Sequence, residues 1–176
     1  MSCLGVHFAI TRPKMDELVR LASRRIDPDE RDEGVLACVH GIEEVWDEDN
    51  LFQWDKAWDA IHRCLTGDHT PKGRLNARKG SYPLKRCILG GRMLYRGQDY
   101  SVSLVEPEHV PGLAKAVKAV DEAWMRERFF RLDPKALLYR VDEDEFEYTW
   151  GNYKGFPEFL AKAARRHRAV IFTVDH

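Results

Sequence analysis

Asp59 and His62 are the pair in this chain best spaced to do chemistry. They sit in the run Phe52-Gln53-Trp54-Asp55-Lys56-Ala57-Trp58-Asp59-Ala60-Ile61-His62-Arg63-Cys64-Leu65-Thr66-Gly67. A carboxylate one helical turn from an imidazole holds one ring nitrogen and leaves the other free, which is how a general base or metal ligand is oriented. The run predicts an amphipathic helix from about Gln53 to Thr66, closed by Gly67. At about 100° per residue, Trp54, Trp58, Ile61 and Leu65 centre on one side, and Asp55, Asp59, His62 and Thr66 form a second row beside it. A purely structural account is equally available: Asp59 and His62 satisfy each other, Trp58 fills the core, and Thr66 with Gly67 ends the helix. A metal needs further ligands, and no H-x-x-x-H, H-E-x-x-H or cysteine-rich spacing supplies them. No metal and no cofactor is expected.

Other candidate chemistry is thinner. Gly90-Gly91, in Tyr82-Pro83-Leu84-Lys85-Arg86-Cys87-Ile88-Leu89-Gly90-Gly91, lacks a G-x-G-x-x-G context or a following Lys-Ser/Thr, so a tight turn or close backbone approach explains it better than a nucleotide. Ser81, Ser101 and Ser103 have no nucleophile-elbow surroundings. Lys85 and Arg86 could activate the Cys87 thiol, but Ile88-Leu89 argue for its burial. Cys3, Cys38, Cys64 and Cys87 form no C-x-x-C pair and read as reduced core thiols. His7 reads as a satisfied core histidine, and the five tryptophans read as core. No catalytic residue is assigned. The candidate pocket is Asp55, Trp58, Asp59, His62 and Thr66 with Gly90 and Gly91.

The charge is segregated although the formal net charge is only -1. From Asp27 to Asp59 there are twelve acidic residues against Arg31 and Lys56; from His69 to Gln98 there are eight basic residues and no acidic one. Either the two segments pack together and neutralise, or the basic one meets an external anion such as a phosphate or an acidic protein. The candidate partner surface is Lys72, Arg74, Arg78 and Lys79. Only Tyr82 and Tyr95 are interleaved with the basic residues, too few for a base-stacking platform, so the expected partner is another protein and not nucleic acid. Apolar runs fall far short of the roughly 20 residues that cross a bilayer. Met1 to Gly5 carry no basic n-region, which makes the cytoplasm the expected compartment.

The elements that must position these residues alternate between strand and helix. Leu4 to Ile10 reads as a strand buried on both faces. Thr11 caps a helix with Met15, Leu18, Val19 and Ala22 on one face. Glu33 to Cys38 reads as helical, and 42–50 is ambiguous. A loop rich in Gly, Pro, Asn and basic residues then runs to about Ser81. Arg92–Tyr95 and Tyr100–Val105 read as strands. Helices follow after Pro107, from Asp121 to Phe129, after Asp133-Pro134, and along Phe146, Trp150 and Tyr153, with a break at Gly155-Phe156-Pro157. Ala169–Val174 is the closing strand. Two buried-type strands at opposite ends of the chain suggest central neighbours in one sheet, with helices on both faces.

The Asp55-Lys56-x-Trp58-Asp59-x-Ile61-His62-x-x-Leu65-Thr66-Gly67 run, the Pro83-Leu84-x-x-x-Ile88-Leu89-Gly90-Gly91 run and the terminal strand together resemble the YfbM-like family of bacterial proteins, a domain of unknown function. The resemblance covers nearly the whole chain. It implies a single-domain, three-layer αβα-type fold, so the expectation is an α/β domain over residues 1–176, a mixed sheet with helices on both faces. It carries over no activity, cofactor or catalytic residue. The acidic 27–49 segment, the basic loop and the Gly155 break are less typical of that family, which places partner-specific features there. Enzymatic motifs fail one by one, so the expected function is a non-catalytic protein-binding module, an adaptor or an immunity-type protein. The alternative is a small-molecule enzyme or sensor with a pocket around Trp58, Asp59 and His62.

Overall fold

The computed structural model describes residues 4–70, 79–137 and 139–175. The first and last strands are indeed central neighbours. β1 (Gly5–Ile10) is buried at every position and pairs with β5 (Ala169–Asp175) from Gly5 opposite Val174 to Ile10 opposite Ala169. β2 (Leu51–Asp55) flanks β1, while β4 (Tyr100–Val105) and β3 (Arg92–Arg96) continue beyond β5, giving the order β2-β1-β5-β4-β3. Every pairing is antiparallel, where a mixed sheet was expected. Runs of apolar residues record that a strand is buried, but carry no sign of the direction in which its neighbour runs.

Helices cover both faces because both faces are apolar. Val6, Phe8, Ile10, Val102, Leu104, Ala169 and Ile171 project to one side and meet α1 (Arg12–Leu21) and α2 (Pro28–Val45) through Met15, Leu18, Val35 and Val39. Ala9, Val105, Val170, Phe172 and Val174 project to the other. There they meet α3 (Trp58–Thr66), α4 (Val110–Lys118), α5 (Glu122–Phe129), α6 (Glu143–Tyr153) and α7 (Phe156–Arg165). Each large apolar side chain buried in these layers contributes about 1.5–3 kcal/mol. Among the described residues no helix is long and apolar enough to cross a membrane.

α2 is longer than its sequence suggested because it buries so little. Val35 and Val39 are its buried residues, so its apolar period is weak over most of its length. Other forces define it: Pro28 opens the helix, and the Asp27 carboxylate accepts from Asp29 N at 3.0 Å. Near its other end Glu43 ties it to the sheet, accepting from the Tyr100 hydroxyl at 2.5 Å and the Thr173 hydroxyl at 2.9 Å. α2 stops at Trp46, which adopts a left-handed conformation (φ 44, ψ 51) that costs a non-glycine residue about 1–2 kcal/mol.

The expected helix from Gln53 is part strand. Gln53 is exposed and Trp54 is buried, which is the period-two alternation of an edge strand. Asp55, at φ 50, ends β2, and α3 begins only at Trp58. Trp54 and Trp58 are therefore both core residues, but they are placed by different elements. The helix expected after Asp133-Pro134 is only a single 3-10 turn, Pro134–Ala136, with Leu138 outside the described residues. Thr11 precedes α1 without a side-chain cap bond, while the other helix signals hold closely. Asp121 caps α5 by accepting from Trp124 N at 2.8 Å, Asp142 caps α6, and the chain restarts as α7 after Gly155.

Candidate functional site

α3 carries a polar cluster built around an arginine that is 1% exposed. Arg63 Nε donates to Asp59 Oδ2 at 2.9 Å, one turn back on the same helix, and its Nη1 donates to Thr70 O at 2.7 Å. The Tyr139 hydroxyl donates to the same Asp59 oxygen at 2.9 Å. Asp68, fully buried, accepts from the backbone N and hydroxyl of Thr70 at 3.0 and 2.8 Å. The Nη1 bond ties the end of α3 to the chain that follows Gly67, whose left-handed φ of 67 closes the helix. An ion pair at this depth persists only when its remaining donors and acceptors are also satisfied.

His62 lies beside this cluster without joining it. Asp59 bonds Arg63 and Tyr139, and the imidazole Nε2 is buried with no hydrogen-bond partner among the described residues. Burial lowers the His62 pKa to about 4, against the opposing pull of Asp59 and Asp68, so the ring is neutral at pH 7. Thr66 Oγ1 donates to His62 O at 2.7 Å, which occupies the hydroxyl proton within its own helix. Burial first, and then the Asp59 charge, raises the Tyr139 pKa. The Asp59–His62 pair expected from spacing is thus replaced by Asp59 with Arg63 and Tyr139.

The remaining candidate residues serve packing. Trp58 is buried with its ring 6.0 Å from that of Phe172, and a Cβ on Gly5 would approach it to 2.9 Å. Asp55 is exposed at the end of β2, with the Tyr148 hydroxyl as its neighbour. A Cβ on Gly91 would lie 2.5 Å from Leu104 O, so the glycine permits β3 to close on β4. Gly90 is half-buried in the turn before it. Cys64 and Cys87 are buried free thiols whose pKa values burial raises, that of Cys64 to about 12, and Cys38 is free as well. His7 Nδ1 accepts from Trp54 Nε1 at 2.5 Å, and its Nε2 donates to Cys87 O at 2.8 Å. Two filled nitrogens make it the core histidine its sequence suggested.

Beyond Thr66, a cleft of about 260 Å3 lies between the end of α3, the 80–84 turn and α5. Thr66, Ser81, Tyr82, Trp124 and Arg128 are among its lining residues. Arg128 stacks over Trp124 at 4.1 Å and donates to Cys64 O at 3.1 Å, so it also caps α3. Tyr82 is 60% exposed, with the Lys85 ammonium 3.8 Å and the Arg86 guanidinium 4.4 Å from its ring centre. Lys79, Arg92 and Arg96 are exposed nearby in sequence. Lys72, Arg74 and Arg78 lie outside the described residues.

Among the described residues the acidic and basic segments show no mutual neutralisation. Among the described residues, no ion pair joins 27–59 to 79–98; within the acidic segment Asp32 pairs with Arg31, Asp59 with Arg63, and Asp49 with Lys162. At the end of α2, Val45 is 73% and Trp46 40% exposed, so Trp46 is not the core residue expected. Its ring meets Phe8 edge-on at 5.9 Å and is otherwise partly open to solvent. Arg63 and Trp46 were both missed from sequence. The i, i+4 spacing of Asp59 and Arg63 signals their pair, whereas Tyr139, 80 residues from Asp59, gives no local signal.

Comparison with known proteins fits this geometry. The family profile "Domain of unknown function (DUF1877)" matches residues 1–173, and the chain belongs to that family. Among solved structures it is similar to YfbM from Escherichia coli, a protein of unknown function, with 16% identity and a TM-score of 0.64 over 97% of this chain and 99% of that one. At that identity the likeness shows the shared α/β fold. No curated protein matches the sequence.

Proposed function

We propose that this chain is a non-catalytic protein-binding module of the adaptor or immunity type. The carrying observation is charge left outward: neither charged segment is neutralised by the other among the described residues. Basic residues that fold together without acidic partners steer an oppositely charged protein and fix its register. The candidate surface remains Lys72, Arg74, Arg78 and Lys79, of which Lys79 is exposed. Two of the groups that could perform acid-base or nucleophilic chemistry are committed elsewhere. Asp59 is held by Arg63 and Tyr139, and the two thiols with the highest pKa values are buried.

The test is affinity capture from an extract of the native host, eluted with rising salt. The expected result is one stoichiometric protein that elutes as the charges are screened, over about 8 Å at physiological ionic strength, and that Lys72, Arg74, Arg78 and Lys79 all changed to Glu fail to retain. Retention by that variant would overturn the reading. A small-molecule enzyme or sensor is the second reading, and the cleft beside Thr66 with its Arg128 guanidinium is the observation that favours it.

A further inference from the structure

We infer that the corner formed by Val45, Trp46 and the carboxylates of Glu44, Asp47 and Glu48 is a docking surface for a basic, apolar helical segment of a protein partner. The inference rests on the binding-module reading and names one face of it. Three local preferences are broken within a few residues here. Helix C-termini favour cations, yet the last turn of α2 carries Glu43 and Glu44 and no basic residue. Left-handed caps favour glycine, yet the cap is Trp46. Apolar side chains favour burial, yet Val45 and Trp46 are exposed side by side. Glu43 has an internal explanation, because it bonds Tyr100 and Thr173. Glu44, Val45 and the outer part of Trp46 do not. Departures from local rules that gather at one place mark a site selected for something other than folding.

The arrangement matches the anatomy of a binding hot spot, an aromatic anchor within a polar rim. The left-handed backbone turns Trp46 away from the helix axis, while its contact with Phe8 holds one ring edge in place. Around it Glu44, Asp47, Glu48 and Asp49 are exposed. The cations that reach this corner are Lys162, which bonds Asp49 O at 2.5 Å, and Arg166, whose Nη1 lies 3.4 Å from Asn50 Oδ1. Glu44 and Glu48 have no ion-pair partner among the described residues, so their charge is offered outward. A complementary segment carries Lys or Arg for the rim and an aliphatic stripe for Val45 and Trp46, the pattern of a basic amphipathic helix.

The probe is a synthetic amphipathic peptide of about 15 residues made of Lys and Leu, with a Glu and Leu peptide of the same pattern as control. Binding is followed by titration calorimetry at about 0.15 M salt. The Lys peptide is expected to bind with an affinity that falls roughly tenfold or more in Trp46→Gly and in the triple change Glu44→Lys, Asp47→Lys, Glu48→Lys. Glycine relieves the left-handed cap but gives up the Phe8 contact, so the melting temperature of each variant is measured beside its affinity, and a variant that stays folded at the assay temperature separates lost binding from lost folding. Equal binding of the Glu peptide, or undiminished binding by either variant, would overturn the inference. The same two variants are then tested against the captured host protein. If it responds to the basic-loop reversal but to neither of them, the binding-module reading stands and this surface falls.

Discussion

Replacing His7 with glutamine tests the chemistry of the core through pH. The imidazole Nδ1 accepts from the Trp54 indole, which can only donate, and Nε2 faces the Cys87 carbonyl, which can only accept. The ring is therefore the neutral Nε2–H tautomer. A proton on Nδ1 would set two N–H groups against each other at a site closed to solvent by burial. Burial accordingly lowers the His7 pKa from 6.5 to about 3, and the Cys87 hydrogen bond opposes this only in part. The unfolded chain then binds a proton between those limits that the folded chain refuses. Stability is complete above about pH 6.5 and falls as pH drops toward 3, by about 1.4 kcal/mol per unit. At pH 5 the loss from His7 is about 2 kcal/mol, and His62, lowered to about 4, adds a similar loss. Glutamine offers an oxygen to Trp54 and an N–H to Cys87, so His7→Gln keeps both bonds without titrating. Urea unfolding at a series of pH values from about 7 to 5 should show roughly half the wild-type loss in the variant. Identical slopes in both proteins would refute the neutral-histidine account.

Three further outcomes follow from the packing. Trp58→Ala should cost roughly 3 to 5 kcal/mol in urea unfolding, because it empties a buried site against Phe172; an unchanged melting temperature would mean the ring is not core. Arg63→Ala should cost about 3 kcal/mol by leaving Asp59 with Tyr139 alone, and a neutral result would show the cluster to be solvated. Mass spectrometry after alkylation in denaturant without reductant should find four modified cysteines, and the native protein should carry no zinc, in keeping with the free thiols at Cys38, Cys64 and Cys87; a stoichiometric disulfide would contradict it.

Those residues also show where sequence reasoning succeeds. Strands buried on both faces announce themselves as continuous apolar runs, which is why β1 and β5 were legible and their adjacency could be inferred. Caps are local hydrogen bonds, so Asp121 marked α5 closely, and the Phe146, Trp150 and Tyr153 stripe marked α6. Legibility failed where a signal was shared. Phe52 to Trp54 satisfy both helical and strand periods, and the competition is decided by pairing with β1, a contact some 46 residues away that no local window contains. The site suffered in the same way. Spacing correctly placed Asp59 and His62 one turn apart, but Tyr139 and Arg63 captured the carboxylate and left the imidazole Nε2 without a partner among the described residues. Strand direction and the outward turn of Trp46 depend on tertiary closure, and for that reason neither was visible.

The most direct test of the binding-module account is the dissociation constant of the captured host protein, measured by titration calorimetry for wild type, for the Lys72, Arg74, Arg78 and Lys79 reversal, and for His62→Ala. The account predicts that the reversal weakens binding by roughly tenfold or more, with a loss that shrinks as salt rises, while His62→Ala stays within about twofold of wild type. Binding lost in His62→Ala but kept in the reversal would contradict it and place the function in the pocket beside α3.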